Sequence, residues 1–107
     1  MEYLNQTRVR GVIGNARVQA IGDTEMVTFS VATEHAFKDG DGAVVVDTTW
    51  HLVKAYKKAG MPDFGELQKG TRVEVDGRLR NIHYIAANGE DRTMTEILAD
   101  NLSIVRQ

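Results

Sequence analysis

The strongest periodicity along the chain is two residues. Within residues 26–33, Val27, Phe29 and Val31 are apolar, while Thr28 and Ser30 between them are small and polar. Residues 71–79 repeat the pattern, with Val73, Val75 and Leu79 set against Arg72, Glu74, Asp76 and Arg78. Strand side chains alternate between two faces, so both segments read as half-buried strands, with Val73, Val75 and Leu79 turned inward. Residues 3–13, 47–57 and 93–105 supply three more strands. Gly11 and Gly77 stand where a coiled strand needs a bulge or a tight corner.

Glycine does most of the punctuation, with 10 Gly against a single proline, Pro62. Pro62 near its start and Gly70 just past its end bracket one short helix between the third and fourth strands. Residues 34–47 read as a long acidic loop with Asp39-Gly40-Asp41-Gly42 at its tip. The Asn88-Gly89 pair within residues 86–92 marks a hairpin turn. Five strands with one helix between the third and fourth is the order of an all-β, five-stranded OB-fold barrel. An SH3-like barrel places no helix there.

The 107 residues make one domain, and a chain of that length buries roughly two-thirds of its unfolded surface. Against 13 Lys and Arg stand 15 Asp and Glu, a net charge of −2, which argues against a polycation coating nucleic acid indiscriminately. A basic groove on one face remains compatible, because a partner feels the local field. Residues 1–53 hold 4 basic and 7 acidic side chains, residues 54–107 hold 9 and 8, so cations concentrate on the later elements. Cysteine is absent, which removes disulfides, thiolate metal sites and Cys nucleophiles. Apolar runs stop far short of the roughly 20 residues of a membrane helix. Asn5, Gln6, Arg8 and Arg10 break up any signal-like stretch, so a cytoplasmic protein with no membrane partner is expected.

Catalytic patterns do not assemble. Gly60 and Gly65 have P-loop spacing, but Glu66 and Leu67 follow where Lys and Ser/Thr belong. Counted from Asp39, Val44 and Trp50 occupy the calcium loop's required Gly and Glu positions. His35, His51 and His83 are scattered over different elements, and no Gly-x-Ser-x-Gly elbow exists. The expectation is a non-enzymatic protein without metal or cofactor.

Binding chemistry does assemble. Alternation puts Trp50, Leu52, Lys54 and Tyr56 on one side of the third strand, and His51, Val53 and Ala55 on the other. The small aliphatic set suits the core, which leaves a Trp, a Lys and a Tyr outside. On the fourth strand Arg72, Arg78 and Arg80 oppose the inward residues, and Tyr84 shares their parity. Phe37 and Lys38 stand together on the long loop. Rings interleaved with cations suit unpaired bases, because every base has a face to stack and cations hold the phosphates.

Asn5, Gly11, Gly14, Phe29-Ser30-Val31-Ala32-Thr33, Thr48-Thr49-Trp50-His51, Lys69-Gly70, Val75-Asp76-Gly77-Arg78-Leu79-Arg80 and Asn88-Gly89-Glu90-Asp91-Arg92 form an ordered set. With Thr95-Glu96-Ile97 it resembles the bacterial single-stranded DNA-binding protein family over residues 5–101. The resemblance implies an OB-fold homotetramer, or a dimer, that binds single-stranded DNA without sequence preference in replication, recombination and repair, in the cytoplasm at the nucleoid. It maps base stacking onto Phe37, Trp50, Tyr56 and Tyr84, and subunit contact onto His51. Phosphate contacts are expected from Lys54, Lys57, Arg72, Arg78, Arg80, Arg8 and Arg10. Thr7, Arg8 and Arg10 replace residues that are apolar in the family's first strand, where they extend the DNA path or alter the dimer edge. The family's acidic tail has no counterpart after Gln107: either the tail was removed, or this is a short paralogue that binds DNA and recruits no repair protein. A tailless OB-fold adaptor of the primosomal type, acting through protein contacts, is the alternative.

Overall fold

The computed structural model describes residues 2–106. Five strands make up nearly all of it: β1 (Thr7–Ile21), β2 (Thr24–Lys38), β3 (Val44–Tyr56), β4 (Arg72–Ile85) and β5 (Asp91–Ile104). They close into a barrel in the order β1-β2-β3-β5-β4, and β4 returns to pair with β1. All neighbours are antiparallel except β3 and β5, which run parallel over Val53/Ile97 and Lys54/Leu98. This is the OB-fold that the order of elements predicts.

The period-two pattern becomes the barrel interior. Val27, Phe29 and Val31 of β2, Val53 and Ala55 of β3, and Val73 and Val75 of β4 are all buried. Apart from Phe29 these are branched or small side chains, which suit so narrow an interior. Leu79 departs from the expectation: it keeps the inward parity of Val75 yet is half exposed. Gly77 is the last β4 position paired with β1, so β1 no longer flanks Leu79 at this end of the barrel. The register of this pair shifts at Asp76/Gly77, where Asp100 is the extra residue. A Cβ on Gly77 would stand 2.2 Å from the Leu98 carbonyl oxygen, so only glycine lets the strands approach there.

Three further expectations change shape. The helix between Pro62 and Gly70 is a single 3₁₀ turn, Phe64–Glu66, capped by the Asp63 carboxylate accepting from the Gly65 N–H at 3.1 Å. Gly65 at its centre disfavours anything longer, and Phe64 and Leu67 insert into the core. The long acidic loop is mostly strand: β2 continues to Lys38 and β3 begins at Val44, leaving residues 39–43 as the turn. Phe37 therefore lies on a strand, paired with Val45. In β1 the bulge falls between Ile13 and Ala16 rather than at Gly11. Asn88-Gly89 does close the β4–β5 hairpin, with the Ala86 N–H donating to the Glu90 carbonyl at 2.9 Å.

Candidate nucleic-acid interface

The registers of β1, β2 and β3 lay the outward side chains out as rows. Val12, Ala32 and Trp50 form one row, Arg17, Thr28 and Lys54 another, and Gln19, Met26 and Tyr56 a third. Through Leu98 the Lys54 row continues to Arg78 on β4. Arg72 pairs with Val12 and so adjoins the Trp50 row. At about 3.4 Å per residue, Trp50 and Tyr56 are roughly 20 Å apart along β3, with Lys54 between them. The wall thus alternates ring and cation along the strand and carries Arg17, Lys54 and Arg78 across it.

Trp50 owes its position to the β1 bulge. The extra residue brings Gly14 and Asn15 under the ring, and the Asn15 N–H donates to the Ser30 hydroxyl at 3.2 Å while that hydroxyl donates to the Asn15 side-chain oxygen at 3.0 Å. A Cβ at Gly14 would stand 2.4 Å from Trp50 Cζ3, so the indole lies directly over the glycine. Its outer side is open, and the residue is 60% exposed. Gly14, Asn15, Ser30, Trp50 and Lys69 line one shallow depression. A tryptophan rests here on backbone, with one face bare and a lysine at its margin.

The candidate cations divide into two sets. Lys54, Arg72 and Arg78 take part in no ion pair among the described residues, nor do Arg17 and Lys69. Four others are engaged within the chain. Arg8 pairs with Asp76, and Arg10 with Glu74 at 2.8 Å, across the β1–β4 ladder. The Lys57 ammonium sits 4.8 Å from the centre of the Phe64 ring and donates to the Pro62 carbonyl. Arg80 grips Glu96, its Nε donating at 3.0 Å to a carboxylate that is 1% exposed. That hydrogen bond, aided by the Glu96 charge and the nearby Tyr56 phenol and opposed by burial, raises the Arg80 pKa above its ordinary value.

Two predicted rings stand off this wall. Phe37 shares the parity of His35, so it occupies the face of the β2–β3 arm opposite to Trp50. Tyr84 is outward on the β4–β5 arm, beside Arg92. His51 has the inward parity of Val53, and its Nε2 lies 2.8 Å from the Thr33 hydroxyl. Arg17, Lys69 and the buried Glu96 are additions to the site that alternation did not reveal. Arg17 falls beyond the first strand's expected end at residue 13, and Lys69 reaches Trp50 only through the closure of the barrel. Among the described residues no group of three His, Asp or Glu is placed to hold a metal ion, and no helix is long and apolar enough to cross a membrane.

A closed five-stranded barrel of this order is an OB-fold, an architecture whose sheet face and loops bind oligomers in other proteins. The chain belongs to the single-strand binding protein family, whose model matches residues 4–105. It is 33% identical over 84 residues to a single-stranded DNA-binding protein of Xylella fastidiosa, covering 78% of this chain and 51% of that one. A mitochondrial single-stranded DNA-binding protein of Danio rerio is 31% identical, over 92% of this chain and 74% of its own length. The chain therefore spans about half the length of the first relative and about three-quarters of the second. Among solved structures, the Plasmodium falciparum SSB complex with ssDNA superimposes with a TM-score of 0.82 at 24% identity, covering 99% of this chain and 98% of that one. A small single-stranded DNA-binding protein from Streptomyces coelicolor gives 0.73 at 21%, covering 98% and 96%. These likenesses establish the fold.

Proposed function

We propose that this protein binds single-stranded DNA without sequence preference, stacking bases on Trp50 and Tyr56 and holding phosphates with Lys54, Arg72 and Arg78. Arg17 and Lys69 join that set because they are free and lie on the same wall. Arg8, Arg10, Arg80 and Lys57 reach a phosphate only by leaving their present partners, so they contribute less. Tyr84, beside Arg92, is a further stacking position for a longer strand. The observation that carries the reading is the exposure of Trp50. A bare indole forgoes apolar burial, and stacked on a base it recovers about 1–3 kcal/mol.

In this reading the protein protects exposed strands during replication, recombination and repair, in the cytoplasm at the nucleoid. It works without cofactor or catalysis. It assembles as a homotetramer or dimer, with His51 near the subunit contact. The test is a comparison of the wild type with Trp50→Ala on deoxythymidine and ribouridine homopolymers, with light scattering to follow mass. The reading expects affinity to fall about 5- to 150-fold for Trp50→Ala at unchanged mass. Equal affinity of the two proteins removes Trp50 from the site. Micromolar wild-type binding without any Trp50 contribution favours the primosomal-type adaptor instead.

A further inference from the structure

Glu96 is the one buried charged side chain among the described residues. Its neighbour Ile97 belongs to the core, so Glu96 lies on the outer side of β5, the side of the Trp50 wall. There it pairs across the ladder with Arg80, two residues along from the Leu98–Arg78 pair that continues the Lys54 row. Nε and Nη2 of Arg80 both donate to one carboxylate oxygen, Oε1. The Arg80 side chain is 34% exposed and that of Glu96 1%, so the cation lies toward solvent with the carboxylate beneath it. Arg78 stands on the same face of β4, about 7 Å along the strand. It takes part in no ion pair among the described residues. Two arginines thus share one face, one free and one held.

We infer that Glu96 is a restraint on binding: it holds Arg80 and cancels its charge, so the wall grips single-stranded DNA less tightly than its cations allow. The inference rests on the single-stranded DNA reading above. Stability does not account for the carboxylate. Taking it out of water costs about as much as the pairing returns, and a neutral side chain of similar shape fills the same place as well. Its effect on binding is of another kind. A guanidinium with a carboxylate in hydrogen-bond contact presents little net charge to a phosphate arriving from solvent, whereas Arg78 beside it presents a full one. The phosphate must either compete with Glu96 for Arg80 or pass it by. Because changes within one interface act mostly on dissociation, the restraint shows as faster release of the strand.

The test is Glu96→Gln in the full chain, beside a double variant that adds Arg80→Ala, titrated with a deoxythymidine homopolymer at about 50 and about 200 mM salt. Glutamine keeps the length and an acceptor oxygen and removes the charge. Glu96→Met, also neutral, is measured alongside, so a folding failure of one variant leaves the other. Trp50 quenching reports binding, and urea unfolding reports the fold. Expected for Glu96→Gln is tighter binding than wild type at the lower salt, with a slope of log affinity against log salt steeper by about 0.7. Its advantage therefore shrinks about 2.5-fold between the two salt concentrations. In the double variant the advantage and the extra slope both vanish. Wild-type affinity and slope in the neutral variants, whatever their stability, overturn the restraint alone. An advantage that survives in the double variant assigns the effect to the carboxylate's field rather than to its hold on Arg80, and equally overturns it. Failure of the homopolymer to quench Trp50 in the wild type overturns the base-stacking reading and this inference together.

Discussion

Trp50 lies over Gly14 so closely that a Cβ at that glycine would stand 2.4 Å from the ring's Cζ3 and 2.8 Å from its Cη2. The glycine is thus a seat for the indole, and the β1 bulge with its Asn15–Ser30 hydrogen bonds sets the seat's height. Gly14→Ala displaces the ring, which is exposed on its far side and free to swing, so the barrel itself is spared. The expected outcome is a loss of single-stranded DNA affinity approaching that of Trp50→Ala, about 5- to 150-fold. Thermal unfolding should move by only a few degrees. A large fall in Tm with unchanged affinity would show that the glycine serves the fold and not the ring.

The division of the cations has its own signature. Each phosphate contact removed from a single strand reduces the slope of log affinity against log salt by about 0.7. Lys54→Ala, Arg72→Ala and Arg78→Ala should each lower it by about that amount, and Lys69→Ala likewise. Arg10→Ala should leave the slope unchanged, since Arg10 is paired with Glu74 at 2.8 Å. Titration of each variant at several salt concentrations separates the two sets.

Arg80 and Glu96 predict an asymmetry in stability. The carboxylate is 1% exposed, whereas the Arg80 side chain is 34% exposed. Arg80→Ala leaves the buried Glu96 carboxylate without that partner, at a cost above the roughly 1–3 kcal/mol of a neutral buried group. Glu96→Gln leaves Arg80 able to turn to water and keeps an acceptor in place. Urea unfolding should therefore show the larger loss for Arg80→Ala. Because the Arg80 pKa is raised, its contribution is complete below arginine's ordinary pKa and is lost only as pH climbs through the raised value. Stability conferred by the Arg80 charge should thus be constant from neutral pH well into the alkaline range.

What could be read from the chain, and what could not, follows from what alternation reports. Val27, Phe29, Val31, Val73 and Val75 alternate with polar residues because one face is covered, and the structure buries all five. Leu79 has the same parity, but parity says which way a side chain points and not whether anything lies there. The arm strands at residues 34–38 and 44–47 have solvent on both faces, so selection for an apolar side leaves no mark and they read as loop. Alternation therefore assigns Phe37 no face, and the structure sets it back-to-back with the Trp50 wall. On β3 alternation suffices, because Val53 and Ala55 take the core and leave Trp50, Lys54 and Tyr56 no other side. Lys69 meets Trp50 through the return of β4 to β1, and Gly14 meets it through the β1 bulge across β2, both over long sequence separations that no local pattern encodes.

Trp50 is the chain's single tryptophan, so its emission reports one place on the molecule. The most direct measurement is that emission during titration with a deoxythymidine homopolymer, followed by a salt back-titration. A base settling on the open side of the indole predicts strong quenching that saturates with binding and recovers as salt releases the strand. Saturable binding, seen by anisotropy of a labelled strand, with the Trp50 emission unchanged throughout would contradict the account.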